Sequence, residues 1–599
     1  MLELFSPLGA LTELGVPGAV RRVLEQAQAQ AEVPGRVLAA TWPRTWAKVV
    51  HLTFLPLLDA TRPWQLRYAL GDGLVGVCRV AYRFDTIDRA LGELKHLQVG
   101  DALRQALCRT WVQTLVAPEA SLHIYVDAHL KPHWTHLFMP CGHLPLLDRV
   151  MPCTRQVIVT NAQGYVWEIR DRVGDAALSQ EFPGLEQELE RLTRHPVTLT
   201  VVDREANGLE LAQKYAESDH FALLTLLDAP MSAGLQVGTP AFADVFRLTG
   251  RWQPLALQPD ARRRLAPAVW APARQADDDP RVFWLVCDEA TDTVRAVYAL
   301  SQPVADCAPD IAARLRGSGA REVYRRRWTA TENVIREMVS GDNLNVNYGY
   351  ECQEVPNRTR QHQAEAAQAQ LTATENQLTT NRRQLEALAA QHAERQQTLA
   401  GQLADVTTAR TEREADGKAR QQASQSTRRV EQQLAQLDRE TLTLTTRQAR
   451  RTTRFKTQTR ELVERQAQLE TKRSERQVAL AAIDLTERMF ERDLEKDQIM
   501  ADFQAAFLNA HRWCCDQYFT GEWSHLELET ATARIYRQRG RVAYSAEHID
   551  VTLAAFGYRA EQALAETACV RFNAARVHDA AGRLILMAVA PFHHCVNQL

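Results

Sequence analysis

The chain has 599 residues, 45% hydrophobic and 24% charged, with 71 Lys and Arg against 73 Asp and Glu for a formal net charge of −2. That length exceeds a single ordinary core and predicts two to four domains, each able to bury its own apolar surface. A near-zero net charge excludes a global cationic field, so any affinity for nucleic acid rests on local basic patches.

The 11 cysteines are scattered singly apart from Cys514-Cys515, with no CxxC pair. This usage predicts reduced thiols in a cytoplasmic protein rather than a disulfide framework. The start MLELFSPLGALTELG carries Glu3 and no basic leader, and no apolar run approaches the ~20 residues of a membrane span. No membrane partner is expected.

Residues 1–120 are predicted to be mainly helical, with apolar positions at helical spacing in TIDRALGELKHLQVGDALRQALCRTWVQTL. From Ser121 the pattern becomes an alternation. LHIYVDAHL is a strand, and RQVIVT and YVWEIRD flank NAQG as a hairpin. FPGLEQELERLTR is a helix, PVTLTVVD a buried strand, GLELAQKYAES a second helix and HFALLTLL another strand. Residues 229–305, rich in Pro and short β-like runs, form a β-rich insertion that includes the hairpin RVFWLVCDEATDTVRAVYAL. Helical pattern resumes at APDIAARL and at REVYRRRWTATENVIREMVSG, which stops on Gly341.

Beyond Pro356 the composition turns to Gln, Ala, Thr, Arg and Glu. Leu371, Leu378 and Leu385 recur every seven residues, as do Phe455, Leu462 and Leu469, while Val430, Leu434, Leu437 and Leu444 continue the period. This predicts a long antiparallel coiled-coil hairpin over 356–495, reversing within the polar break READGKARQQASQS, which contains Gly417, with arms of roughly 80 to 100 Å. Residues 496–599 close the chain as a small α+β domain. No GxxxxGK[ST] loop occurs, which excludes a P-loop ATPase.

Two acids stand out within this frame. Asp127 interrupts an apolar strand, and Asp203 ends the strand VTLTVV before a glycine-bearing turn. If those strands are adjacent and parallel, the two carboxylates converge. Glu332, on the helix after the insertion, is a third. Three carboxylates brought together repel one another, and hard divalent cations with oxygen ligands relieve that repulsion.

These residues resemble the DDE transposases of bacterial insertion sequences. The likeness covers roughly Leu122 to Asn357. It is carried by VDAHLKPHW, VTNAQGYVWEI, TVVDREANG, YRRRWTATENVIREM and LNVNYGYECQEVPN. The resemblance implies an α/β architecture with a ribonuclease-H-like catalytic domain over 121–355, a mixed sheet flanked by helices, and a DNA-binding role for residues 1–120. It implies Asp127, Asp203 and Glu332 as catalytic residues and as ligands of two Mg²⁺ ions, or of Mn²⁺. The family signature has a Tyr, an Arg, the catalytic Glu and a Lys, with three residues between Arg and Glu. Here four residues separate Arg327 from Glu332, and Val339 stands where Lys is expected.

DNA contacts are expected from Tyr324, Arg325, Arg326, Arg327, Trp328 and Arg336, and from His129 and Lys131, which follow Asp127 closely. The basic runs ARRRLAPAVWAPAR and ARRTTRFKTQTR are further phosphate-neutralising candidates, with Trp270 as a base-stacking candidate. The stretch with His129, His133, His136, Cys141, His143 and Cys153 fits no paired-ligand zinc template. The expected function is a nucleoid-associated, homo-oligomeric DNA transposase acting on element terminal repeats and target DNA. The alternatives are a catalytically idle, transposase-derived scaffold with coiled-coil arms and a nuclease of the same fold.

Overall fold

The computed structural model describes the chain except residues 1–4, 32–40, 59, 69–77, 81, 146, 183, 207, 218–220, 228–233, 256–261, 272–278, 423–427 and 593–599. The chain divides into two compact units, Met1–Gln353 with Phe490–Leu599, and Glu354–Met489. Among the described residues no helix is long and apolar enough to cross a membrane.

The first unit begins with helices α1 (Phe5–Glu13), α2 (Val16–Gln30), α3 (Trp42–Thr53), α4 (Phe84–His96) and α5 (Gly100–Leu115). The long helical stretch expected near residue 98 is broken between α4 and α5, where Gln98 takes φ 50°, a conformation that does not propagate a right-handed helix.

The alternating segment builds a mixed sheet from β1 (Leu122–Pro132), β2 (Cys141–Leu144), β3 (Arg149–Thr160), β4 (Val166–Val173), β5 (Val197–Val202) and β6 (Ala222–Leu226). β3 lies antiparallel between β4 and β1, while β1, β5 and β6 are mutually parallel neighbours. Parallel pairing needs crossovers, and α6 (Gly184–Thr193) and α7 (Leu209–Ala216) supply them. β5 is buried at every position, and its sequence VTLTVV carries no charged residue, as a strand covered on both faces requires. Burial of Val126, Val159 and Val201, each fully enclosed, contributes about 1.5–3 kcal/mol per side chain. At the β3–β4 turn, Asn161 Oδ1 accepts the Gln163 and Tyr165 amides at 3.0 Å, and Gly164 has φ 84°.

The β-rich segment forms β7 (Phe246–Leu248), β8 (Gln253–Leu255), β9 (Arg263–Trp270), β10 (Val282–Asp288) and β11 (Val294–Leu300). It extends the same sheet, because β11 pairs antiparallel with β6 and so covers an edge that would otherwise offer unpaired backbone groups. Then follow α8 (Pro309–Leu315), α9 (Gly319–Arg327), a π-helical turn (Trp328–Glu332), α10 (Asn333–Gly341) and a short strand β12 (Cys352–Pro356).

The second unit is an antiparallel helical hairpin, α11 (Arg358–Gln422) against α12 (Arg428–Ala481). At 1.5 Å per residue the arms are about 98 and 81 Å long. Leu371, Leu378, Leu399, Val430 and Leu469 are buried in the seam. Asn381 Nδ2 donates to the Leu462 carbonyl at 2.9 Å, and Arg476 Nη1 to that of Gln370 at 2.6 Å. Arg382 pairs with Glu470, and Arg410 with Asp438. Together these contacts fix a single register. Of the break expected in READGKARQQASQS, the part through Gly417 to Gln422 is still α11, and α12 starts at Arg428; a single glycine costs a helix only about 1 kcal/mol. The stretch 423–427, which includes part of that expected break, lies outside the described residues.

After β13 (Arg488–Arg492), α13 (Glu495–Gln517) is buried along most of its length, packed on α1, α3, α4, α5 and β4. The regions expected as separate domains over 1–120 and 496–599 therefore share one core with the sheet. A helix covered on most of its sides, buried polar residues such as Asp497, Asn509 and His511 included, has no free face to leave at a domain surface. The end of the chain adds β14 (Gly540–Tyr544), β15 (His548–Leu553), α14 (Arg559–Ala574) and β16 (Leu584–Val589), the small α+β element that the sequence predicts.

His511 on α13 is fully buried, with Nδ1 at 2.9 Å from the Tyr536 hydroxyl and Nε2 at 2.9 Å from the Leu526 carbonyl. Burial, aided by neighbouring Arg512, pushes its pKa from 6.5 down to about 3. The native chain therefore holds fewer protons here than the unfolded chain at acid pH. The stability this group provides is complete above pH 6.5 and is lost as pH falls toward 3. Urea unfolding of His511→Gln between pH 4 and 6 is expected to show a pH slope shallower by up to about 1.4 kcal/mol per unit than the parent; identical slopes would contradict this.

Candidate active site

The register of β1 against β5 pairs Tyr125 with Val201 and Val126 with Val202, so the next step along both strands sets Asp127 beside Asp203. Parallel neighbours thus deliver the two acids to the same end of the sheet. Glu332 reaches them from the helical segment after β11. Its neighbour Thr331 is fully buried, and its hydroxyl lies 2.9 Å from that of Thr160 on β3.

Arg327 holds the group together. Its Nη1 donates to Asp127 Oδ2 at 2.9 Å, its Nη2 lies 3.5 Å from Asp203 Oδ2, and Nη2 also donates to Glu332 Oε1. Tyr324 donates its hydroxyl to Asp203 Oδ1 at 2.9 Å. Both side chains are buried. The three carboxylates, distant in sequence, therefore point at one guanidinium.

The extra residue between Arg327 and Glu332 is absorbed by the π-helical turn Trp328–Glu332. In an uninterrupted α-helix, a side chain five residues on points about 140° away. A π turn widens the helix so that positions i and i+5 approach one face, and such turns concentrate at functional sites. Glu332 consequently meets Arg327 despite the altered spacing. Val339, in the place expected for Lys, packs against the core.

Burial pushes the Asp127 carboxyl up to about 6, against the opposing pull of Arg327 and the Ala128 amide. Burial likewise raises Glu332. It works against the charge on Arg327 too, but Asp127, Asp203 and Glu332 outweigh it and hold the guanidinium above its ordinary value. One cation facing three acids leaves the site short of positive charge. The donors are all hard oxygens, which suits Mg²⁺ or Mn²⁺. Arg327 is already inserted among them, and among the described residues no group of three or more His, Cys, Asp or Glu side chains is arranged to hold a metal ion.

Other expected residues divide by location. Arg325, Arg326, Trp328 and Arg336 are exposed, with Trp328 at 61%, and Arg336 pairs with Glu527 at 2.8 Å. Tyr324 and Arg327, expected at DNA, are turned inward onto the acids. Lys131 is no surface contact either: it is 1% exposed and donates to Asp497 at 2.8 Å. An unpaired ammonium at that depth would be costly, and Asp497 neutralises it. His129 Nε2 lies 2.7 Å from Asn345 Oδ1. Trp270, half-buried, packs at 88° to Phe246 against the core of the β-rich segment, and residues 272–274 of the adjoining basic run lie outside the described residues. The sequence carried no signal for the Thr160–Thr331 pair, because it is made between side chains 171 residues apart.

Replacing Arg327 with Gln is expected to lower unfolding stability by about 2 kcal/mol, since it leaves partly buried carboxylates facing one another. Arg336→Gln, which breaks an exposed pair, is expected to cost under about 1 kcal/mol. Urea titration of both checks the order, and equal losses would contradict the central place of Arg327. No protein-family model matches the chain, and no curated protein matches it.

Proposed function

We propose that the protein is a DNA transposase whose first unit carries a ribonuclease-H-like catalytic domain. The single observation that carries this reading is the meeting of Asp127, Asp203 and Glu332 around Arg327. The strand order, with two antiparallel strands beside three parallel ones, supports the fold assignment. Basic, exposed Arg325 and Arg326 flank the site, which suits a phosphodiester substrate.

In this mechanism Asp127, Asp203 and Glu332 would hold two Mg²⁺ ions, which would supply Lewis-acid activation of the attacking oxygen and charge neutralisation at the leaving one. The chain itself contributes position. Tyr324 orients Asp203, the parallel register holds Asp203 beside Asp127, and the Thr160–Thr331 contact seats Glu332. Arg327 keeps the acids oriented toward one point and supplies fixed positive charge near the phosphate. Water attacks at the element end, and the freed 3′ hydroxyl then attacks target DNA, each by in-line displacement at phosphorus. Two ends must be held at once, so a homo-oligomer on terminal-repeat DNA is the working assembly.

A competing reading is an idle scaffold descended from such an enzyme. It is favoured by Arg327 already pairing with all three acids and by Val339 at the place of the family Lys. Cleavage and joining assays, with Mg²⁺ and DNA bearing the flanking terminal repeats, separate the possibilities. Cleavage with joining is expected; cleavage alone indicates a nuclease, and binding alone indicates the scaffold. Asp203→Asn is expected to reduce cleavage at least about 1,000-fold while DNA affinity stays within about threefold. Retained cleavage would remove Asp203 from the site.

A further inference from the structure

The leucine seam of the helical hairpin fails on both arms at one level. On α11 the seven-residue series Leu371, Leu378, Leu385 continues through His392 before Leu399. On α12 exposed Arg451 stands seven residues after Leu444, and the apolar series resumes only at Phe455. There the arms border a half-open cavity of about 550 Å³, lined by exposed Arg395, Arg451 and Arg454, by glutamines and by the apolar Leu388, Leu399 and Phe455, with no carboxylate. His392 stacks on Phe455, ring centroids 3.8 Å apart, and its buried Nε2 has no hydrogen-bond partner.

Polar substitution within a coiled-coil seam costs stability and is ordinarily explained by register. Register is already set elsewhere in this hairpin, by Asn381 on the Leu462 carbonyl and by the pairs Arg382–Glu470 and Arg410–Asp438. The cavity is therefore left without that explanation. Its charge is also unbalanced. The 20 residues between Glu440 and Glu461 hold six Lys or Arg and no acid. Among the described residues Arg395, Arg451 and Arg454 have no carboxylate partner, whereas Arg460 beyond them pairs with Glu464.

We infer that this interrupted level of the hairpin is a second DNA-binding surface, which grips the duplex phosphate backbone through Arg395, Arg451 and Arg454. At about 100° per residue, Arg447, Arg450, Arg451 and Arg454 share one face of α12. Arg447 and Arg454 are separated by about 10.5 Å along the helix, close to three phosphate steps of a strand at about 3.4 Å each. Guanidinium forks suit phosphate oxygens. The contact is assigned to the phosphates and not to base edges, so it is expected to be independent of sequence. The choice of DNA as the polyanion rests on the transposase reading.

The test measures the salt dependence of full-chain binding to a duplex lacking terminal repeats, in EDTA so that no metal-dependent cleavage occurs. For Arg395→Gln/Arg451→Gln/Arg454→Gln, the slope of log affinity against log salt is expected to fall by about 2.7, or about 0.9 for each lost phosphate contact. The corresponding triple Lys variant, which keeps the charge, is expected to retain most of the slope. An unchanged slope in the Gln variant, or an equal loss in both variants, would overturn the inference. Cleavage of terminal-repeat DNA by the parent protein with Mg²⁺ is scored separately. Cleavage with an unchanged slope rejects the arm surface alone, and a reduced slope without cleavage rejects the transposase reading alone.

Discussion

The arrangement of the first unit depends on one guanidinium. Arg327 reaches Asp127, Asp203 and Glu332 at once, and without a cation those carboxylates would oppose one another by a few kcal/mol per pair in a partly desolvated setting. Parallel pairing of β1 and β5 brings two of the acids together, and the helix after β11 brings the third. The π-helical turn reconciles the four-residue gap between Arg327 and Glu332 with the need for both to face the sheet. Backbone geometry, strand order and charge thus act on the same few atoms.

The surroundings keep that cluster in place. β1, which carries Asp127, is tied farther along by Lys131 to Asp497 on α13, where the Tyr348 amide also donates to the carboxylate at 2.9 Å. Burial opposes charge on Asp497, yet Lys131 and Arg492 hold it below its ordinary value. Glu337, one turn beyond Glu332, takes the Leu528 amide at 2.6 Å and pairs with Arg512 of α13. The carboxy-terminal helix therefore buttresses both segments that deliver acids, which explains why the ends of the chain are built into one core with the sheet. A site held from two sides spends little free energy on reorganisation when a charged substrate arrives.

Much of this was legible in the sequence, for physical reasons. Runs rich in apolar and β-branched residues gave β1, β3, β4, β5 and β6, because covering a strand favours apolar side chains; among the charged exceptions on β4, Glu168 and Arg170 are buried as an ion pair. The seven-residue leucine spacing located both arms of the hairpin. Asp127 was conspicuous because an acid in an apolar strand must have a partner, and the partner is Arg327. What remained hidden depends on contacts across long sequence separations. No local pattern distinguishes Lys131 under Asp497 from a lysine facing solvent, nor Tyr324 turned onto Asp203 from one facing DNA. The burial of α13 against the amino-terminal helices was equally invisible, since its mixture of apolar and polar residues names no partner. The break READGKARQQASQS was legible as a stretch, but α11 continues through its Gly417 to Gln422, because one glycine does not stop a long, cooperative helix.

The most direct test of a shared, cation-seeking carboxylate site is the structure of the protein with Mn²⁺, read by anomalous scattering. The account predicts a peak within about 2.5 Å of oxygens from at least two of Asp127, Asp203 and Glu332. Density that leaves Arg327 in contact with all three acids, with no metal peak among them at saturating Mn²⁺, would contradict it.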